Sequence, residues 1–177
     1  SASTSWSAVS STGSGIEYEV EISLNGGEWT AGESGISHTF WASTIHYSHG
    51  DSLVYRVRAV TGSFVHSAWK ETAEMTIDTL APDAPDSVQI GDEVGAPQPY
   101  DEDSYFLVWW PSVEDGFSDI EYEIERRVGN QDWESAAEGV LNTNWTHEMA
   151  LSDGDEVIVR VRAVDEAGNA GGWVISN

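Results

Sequence analysis

The sequence predicts an all-β chain built as two tandem antiparallel sandwiches, and three observations predict it. Apolar and polar residues alternate with a period of two: Ile16, Tyr18, Val20 and Ile22 against Glu17, Glu19 and Glu21, and Leu53, Tyr55, Val57 and Ala59 against Val54, Arg56, Arg58 and Val60. Such alternation gives a strand one buried and one solvated face. Turn signals punctuate the runs, at Asn25–Gly27, Gly50, Glu114–Gly116 and Ala167–Asn169, while no stretch carries a 3.6-residue pattern. Finally, the chain repeats itself without a gap: an offset of 104 lays Ser1–Ala73 over Tyr105–Asn177.

The repeat is specific. "IEYEVEI" at Ile16–Ile22 falls on "IEYEIER" at Ile120–Arg126, and "GDSLVYRVRAV" at Gly50–Val60 on "GDEVIVRVRAV" at Gly154–Val164. Trp6, Trp29, Trp41 and Trp69 fall on Trp110, Trp133, Trp145 and Trp173; only Trp109 lacks a counterpart, its match being Ser5. The expected organisation is a first module over 1–79, a linker over 80–85 and a second module over 86–177. The stretch Asp78–Pro85, "DTLAPDAP", breaks any helix and is expected to run extended.

These motifs resemble fibronectin type III modules. Trp6 and Trp110 stand where that family has its strand B Trp, Tyr18 and Tyr122 lie in its strand C, and Val57–Ala59 with Val161–Ala163 match its Val-x-Ala strand F. "RVRAVDEAGNAGGW" at Arg160–Trp173 is similar to the form common in bacterial and archaeal surface proteins. The resemblance covers nearly the whole chain and implies seven strands per sandwich. In the second repeat these are A near Asp86–Ile90, B near Tyr105–Pro111, C at Ile120–Val128, C′ near Trp133, E near Trp145, F at Glu156–Val164 and G near Ala170–Ser176. Leu53 and Val157 replace the family's corner Tyr, so that corner hydrogen bond is expected to be missing. The first repeat has the same elements from B onward and is expected to lack strand A. Its strand B is also polar, "SASTSW" against "YFLVWW". An edge of unpaired backbone groups is a template for another strand. Two explanations compete: a fragment of a longer array, or a strand supplied by another subunit, with self-association through the open edge.

Composition excludes several function classes. The 177 residues carry 31 Asp+Glu against 7 Lys+Arg, for a formal charge of −24, and no cysteine. Nucleic acid and anionic membranes are polyanionic and are not expected partners. The absence of cysteine removes a disulfide scaffold, a thiolate zinc site and a cysteine nucleophile. No apolar run approaches the ~20 residues that cross a bilayer, so no membrane insertion is expected. No charged, apolar leader opens the chain, and any signal peptide is expected to have been removed.

Four of the six Arg define the main candidate site. Strand F lies between C and G, so Arg56 and Arg58 point outward toward Glu17, Glu19 and Glu21 on C and Trp69 on G. Arg160, Arg162, Glu121, Glu123, Glu125 and Trp173 repeat the set. Guanidinium planes stack on Trp and pair with Glu, and a similar ladder decorates class I cytokine receptor modules. The set reads either as a structural brace of one sheet or as a ligand face. Trp6 and Trp110 are expected in the core. Trp29, Trp41, Trp133 and Trp145 suit packing at least as well as a sugar platform. Candidate calcium ligands are Asp101, Glu102 and Asp103 with Asp78 and Asp83, because clustered carboxylates supply the six to eight oxygens the ion takes; solvated acid is the plainer reading, and no other cofactor is expected. Phe64 and Val65 form an apolar loop tip, a candidate contact point. His46, His49 and Asp51 in "HYSHGD" read as an ordinary turn, and Asn144–Thr146 is a glycosylation sequon.

No nucleophile motif is present, so the expectation is a non-catalytic, extracellular or cell-surface module pair. It would act as a spacer, stalk or filament element with a protein or glycan partner at a surface. The alternatives are an accessory glycan-binding module of a polysaccharide-degrading enzyme and a virus or phage decoration domain.

Overall fold

The computed structural model describes residues 2–10, 15–96, 105–148 and 151–177. The chain is all-β and divides into two compact units, Ser1–Thr79 and Leu80–Asn177, with Leu80–Pro85 counted in the second.

The first unit holds β1 (Ser3–Ser5), β2 (Ile16–Leu24), β3 (Thr30–Ile36), β4 (Phe40–Ala42), β5 (Ser52–Thr61), β6 (Lys70–Glu71) and β7 (Met75–Thr76). β1 pairs with β4, and the second sheet runs β3–β2–β5–β6 with β7 also on β5. All described pairings are antiparallel. The alternation of β2 and β5 works as the sequence predicts on most rungs: Tyr18, Val20, Ile22, Leu53 and Tyr55 are buried and form one core with Ile36, Trp41 and Ala2. Val57 and Ala59 depart from it and are only partly buried.

The second unit holds β8 (Gln89–Gly91), β9 (Tyr105–Trp109), β10 (Ile120–Val128), β11 (Glu134–Val140), β12 (Asn144–Glu148), β13 (Val157–Asp165) and β14 (Val174–Ile175). Its sheets are β12–β9–β8 and β11–β10–β13–β14. In the lettering above these are E–B–A and C′–C–F–G, the sandwich that the resemblance implies. Val88, Phe106, Val108, Trp110, Tyr122, Ile124, Val159, Val161 and Ala163 form the core. Fully burying each large aliphatic side chain contributes about 1.5–3 kcal/mol. In the first unit no described strand corresponds to β8.

The repeat extends to fine detail. β2 on β3 and β10 on β11 each shift register at equivalent rungs, after Tyr18 and after Tyr122. Each bulged strand carries a left-handed glycine, Gly35 at φ 73° and Gly139 at φ 66°, a backbone state that a side chain would strain. Tyr18 and Tyr122 use their hydroxyls alike: each accepts the backbone N–H of Val9 (3.0 Å) or Val113 (2.9 Å), tying the preceding loop to the sheet.

Candidate functional site

The long strands of each four-stranded sheet position the site. β2 runs antiparallel to β5 with Glu21 opposite Arg56 and Glu19 opposite Arg58; β10 and β13 set Glu125 opposite Arg160 and Glu123 opposite Arg162. Residues two apart on a strand share a face, so both pairs of each unit stand on the outer surface. Arg56 donates through Nε to Glu21 at 2.7 Å, Arg58 to Glu19 at 2.6 Å, Arg160 to Glu125 at 2.6 Å and Arg162 to Glu123 at 2.6 Å. Arg56, Arg160 and Arg162 make a second ion-pair contact, through Nη2, to the same carboxylates. The pairs are roughly three-quarters buried, which limits but does not remove solvent screening.

Tryptophans separate the guanidinium groups. Arg56 lies 4.2 Å from the Trp29 ring and 4.6 Å from Trp69, and Arg58 covers Trp69 at 4.4 Å. The stack therefore alternates Trp29, Arg56, Trp69, Arg58. In the second unit it is longer: Arg127, Trp133, Arg160, Trp173, Arg162, with separations of 4.9, 4.4, 4.5 and 4.6 Å. Arg127 adds the extra rung where the first unit has Ser23.

Sequence reasoning found the Arg, Trp69, Trp173 and two Glu of each set. Glu17 and Glu121 do not join: they stand one rung further along, opposite Val60 and Val164, beyond the last Arg. Trp29, Trp133 and Arg127 were missed as members. Trp29 and Trp133 directly precede β3 and β11, and their matched spacing was the available signal. Trp41 and Trp145 belong to packing: Trp41 is 8 % exposed and donates to Glu33 at 2.6 Å, and Trp145 packs on the second core. Trp110 is buried as expected, whereas Trp6 is only partly so. Every described Trp face of the ladder is thus covered by an arginine on at least one side.

The acidic candidates have separate surroundings. Asp101, Glu102 and Asp103 lie outside the described residues. The Asp78 carboxylate stands 3.1 Å from Nδ1 of His49, and Asp83 is exposed. Asp51 closes the "HYSHGD" turn, accepting from Asn25 (2.9 Å) and from the N–H of Ser48 (2.8 Å); these bonds hold its carboxyl below the usual aspartate range. Nδ1 of His49 also lies 3.3 Å from the backbone N–H of Thr79, while His46 is exposed.

Phe64 and Val65 are exposed, at 83 % and 64 %. The tip is closed by Phe64 N–H to Thr61 O at 2.8 Å and Thr61 N–H to Val65 O at 3.0 Å. Phe64 adopts φ 59°, the left-handed region, where the second unit has Gly168 at φ 85°. An L residue with a large side chain held there is strained by roughly 1–2 kcal/mol.

No protein-family model matches the chain, and no curated protein matches it. Among solved structures, the chain is similar to the FN1-FN3 domains of chicken CNTN1 at 14 % identity and a TM-score of 0.42; the match covers 98 % of this chain, and this chain spans 60 % of that one.

Proposed function

We propose that the chain is a non-catalytic structural or adhesive module pair, extracellular or at a cell surface, acting as a spacer, stalk or filament element of a larger protein. One observation carries this reading. In both units the arginines and tryptophans of the outer sheet face are committed to one another and to glutamates, leaving each ladder a brace across two strands and the segments that lead into the two flanking ones. Such pairings stabilise a sheet against shear and recruit no reactive group. The acidic surface, at −24, supports a soluble extracellular element that tolerates salt.

A glycan array probed with the full chain tests the reading against its alternative. The spacer role predicts no binding above background. Binding that Trp133→Ala abolishes would instead make the chain an accessory glycan-binding module.

A further inference from the structure

Asn25 and Gly26 form the tip of the β2–β3 hairpin. Both have positive φ, 53° and 67°, and the N–H of Gly27 donates to the carbonyl of Leu24 at 2.9 Å, which makes the tip a type I′ turn. Asn-Gly is the pair such a turn prefers. It is also the pair in which a side-chain amide is most open to attack by the next backbone nitrogen. Here that nitrogen is accessible: the N–H of Gly26 makes no hydrogen bond among the described residues, and a Cβ on Gly26 would meet nothing within 4 Å. Asn130, Asn142, Asn144 and Asn169 instead precede Gln131, Thr143, Trp145 and Ala170, whose side chains crowd the corresponding nitrogen. The matching hairpin of the second unit reverses the order, with Gly129 before Asn130.

The Asn25 amide is held at both ends. Its Oδ1 accepts the N–H of Ser52 at 2.8 Å, and its Nδ2 donates to Oδ1 of Asp51 at 2.9 Å. The two bonds have opposite effects on the amide. The Ser52 N–H draws charge from the carbonyl and stands where an oxyanion on Oδ1 would form, which eases addition at Cγ. The Asp51 carboxylate, fixed in turn by the N–H of Ser48 at 2.8 Å, holds the nitrogen that must leave and restrains rotation of the amide. Release of that one charge-assisted bond therefore frees the side chain to react.

We propose that Asn25 is a spontaneous modification site, converted to aspartate and isoaspartate through a cyclic imide, with Asp51 as the group that sets its rate. The backbone nitrogen of Gly26, giving up its proton to water or hydroxide, bonds to Cγ of Asn25. The Cγ–Nδ2 bond then breaks, and Nδ2 leaves as ammonia, taking a proton from water. Water opens the imide at either of its carbonyls. The sum is amide plus water to carboxylate plus ammonium ion, so no oxidant or cofactor is needed. The product sets a carboxylate against Asp51 where a donor stood, and like charges at that distance repel. In isoaspartate the backbone also gains a methylene inside the turn. Both changes undo the tie between the hairpin tip and the start of β5, which loosens the first unit irreversibly. The inference is independent of the spacer reading, and its failure would leave that reading intact.

The test incubates the folded full chain in mildly alkaline buffer and follows each asparagine by peptide mass spectrometry. The signal is the mass gain of exchanging –NH₂ for –OH, and enzymatic methylation reports the isoaspartate. Product is expected at Asn25 ahead of Asn130, Asn142, Asn144 and Asn169, which serve as controls within the same molecule. Asp51→Ala should speed conversion at Asn25 several-fold and leave the controls unchanged. Asp51→Asn, which keeps an acceptor without the charge, should fall between. Asn25→Asp, the product made directly, should hasten hydrogen exchange over Ser52–Thr61 and leave Val157–Asp165 unchanged, a change confined to one unit that global misfolding cannot give. Absence of product at Asn25 over a period in which the urea-unfolded chain is fully converted would overturn the proposal. So would conversion of a control asparagine ahead of Asn25, or a rate at Asn25 that Asp51→Ala leaves unchanged or lowers. Unaltered exchange in Asn25→Asp would overturn the coupling of the modification to the first unit's stability.

Discussion

Truncating Arg160 should cost the second unit far more than truncating Arg162, although both are outward arginines on one strand paired with glutamate. Arg160 lies between two rings, 4.4 Å from Trp133 and 4.5 Å from Trp173, and Arg162 against one, at 4.6 Å. Each cation–π contact at a partly exposed site is worth about 0.5–1 kcal/mol, and a partly exposed ion pair, discounted for screening, a few tenths to about 1 kcal/mol. Arg160→Ala should therefore destabilise by about 2 kcal/mol and Arg162→Ala by about 1 kcal/mol. For a unit of about 100 residues these correspond to losses of roughly 10 °C and roughly 5 °C in Tm. Calorimetry of the full chain measures the change, and hydrogen exchange across Val157–Asp165 assigns it to the second unit. Arg160→Lys keeps the charge and loses the planar stacking group, so it should recover less than half of the loss. Equal costs for Arg160→Ala and Arg162→Ala, or full rescue by lysine, would refute the stacking argument.

Three further outcomes are expected. Phe64→Gly should stabilise the first unit by about 1 kcal/mol, by relieving the left-handed strain at φ 59°, as read by its denaturation midpoint; a loss of stability would mean that the ring makes a compensating contact. Asp51 has a lowered pKa, so its stabilisation is fully present above the ordinary value of 3.8 and fades as pH falls through the lower folded value. The advantage of wild type over Asp51→Asn should accordingly vanish in acid, and an advantage that persists unchanged there would contradict the linkage. With a charge of −24, Tm should rise with NaCl and rise equally with CaCl₂ of matched ionic strength; an extra calcium-specific rise would place a binding site among the acidic residues.

Much of the fold was legible because β2, β5, β10 and β13 carry a clean two-residue alternation, and strand C was located to the residue at Ile120–Val128. Edge elements were less so. The last strand of the first unit breaks into Lys70–Glu71 and Met75–Thr76, where tertiary pairing with β5 rather than local pattern decides the ends. The Arg–Glu pairing followed from register, and register fails for Glu17 and Glu121 only because the arginines occupy two rungs. Trp29 and Trp133 escaped because alternation says nothing about which loop aromatic folds over a neighbouring strand. Val57 and Ala59 look like core in the alternation and lose that status only because nothing described covers them.

Stretching single molecules of the full chain by its ends tests the structural role most directly. A load-bearing spacer should give two discrete unfolding events with contour-length gains of roughly 25 and roughly 32 nm, for units Ser1–Thr79 and Leu80–Asn177. Arg160→Ala should lower the force of the longer event and leave the shorter one unchanged. Extension without force peaks, or a longer event indifferent to Arg160→Ala, would contradict the claim that the arginine–tryptophan ladders exist to brace these modules.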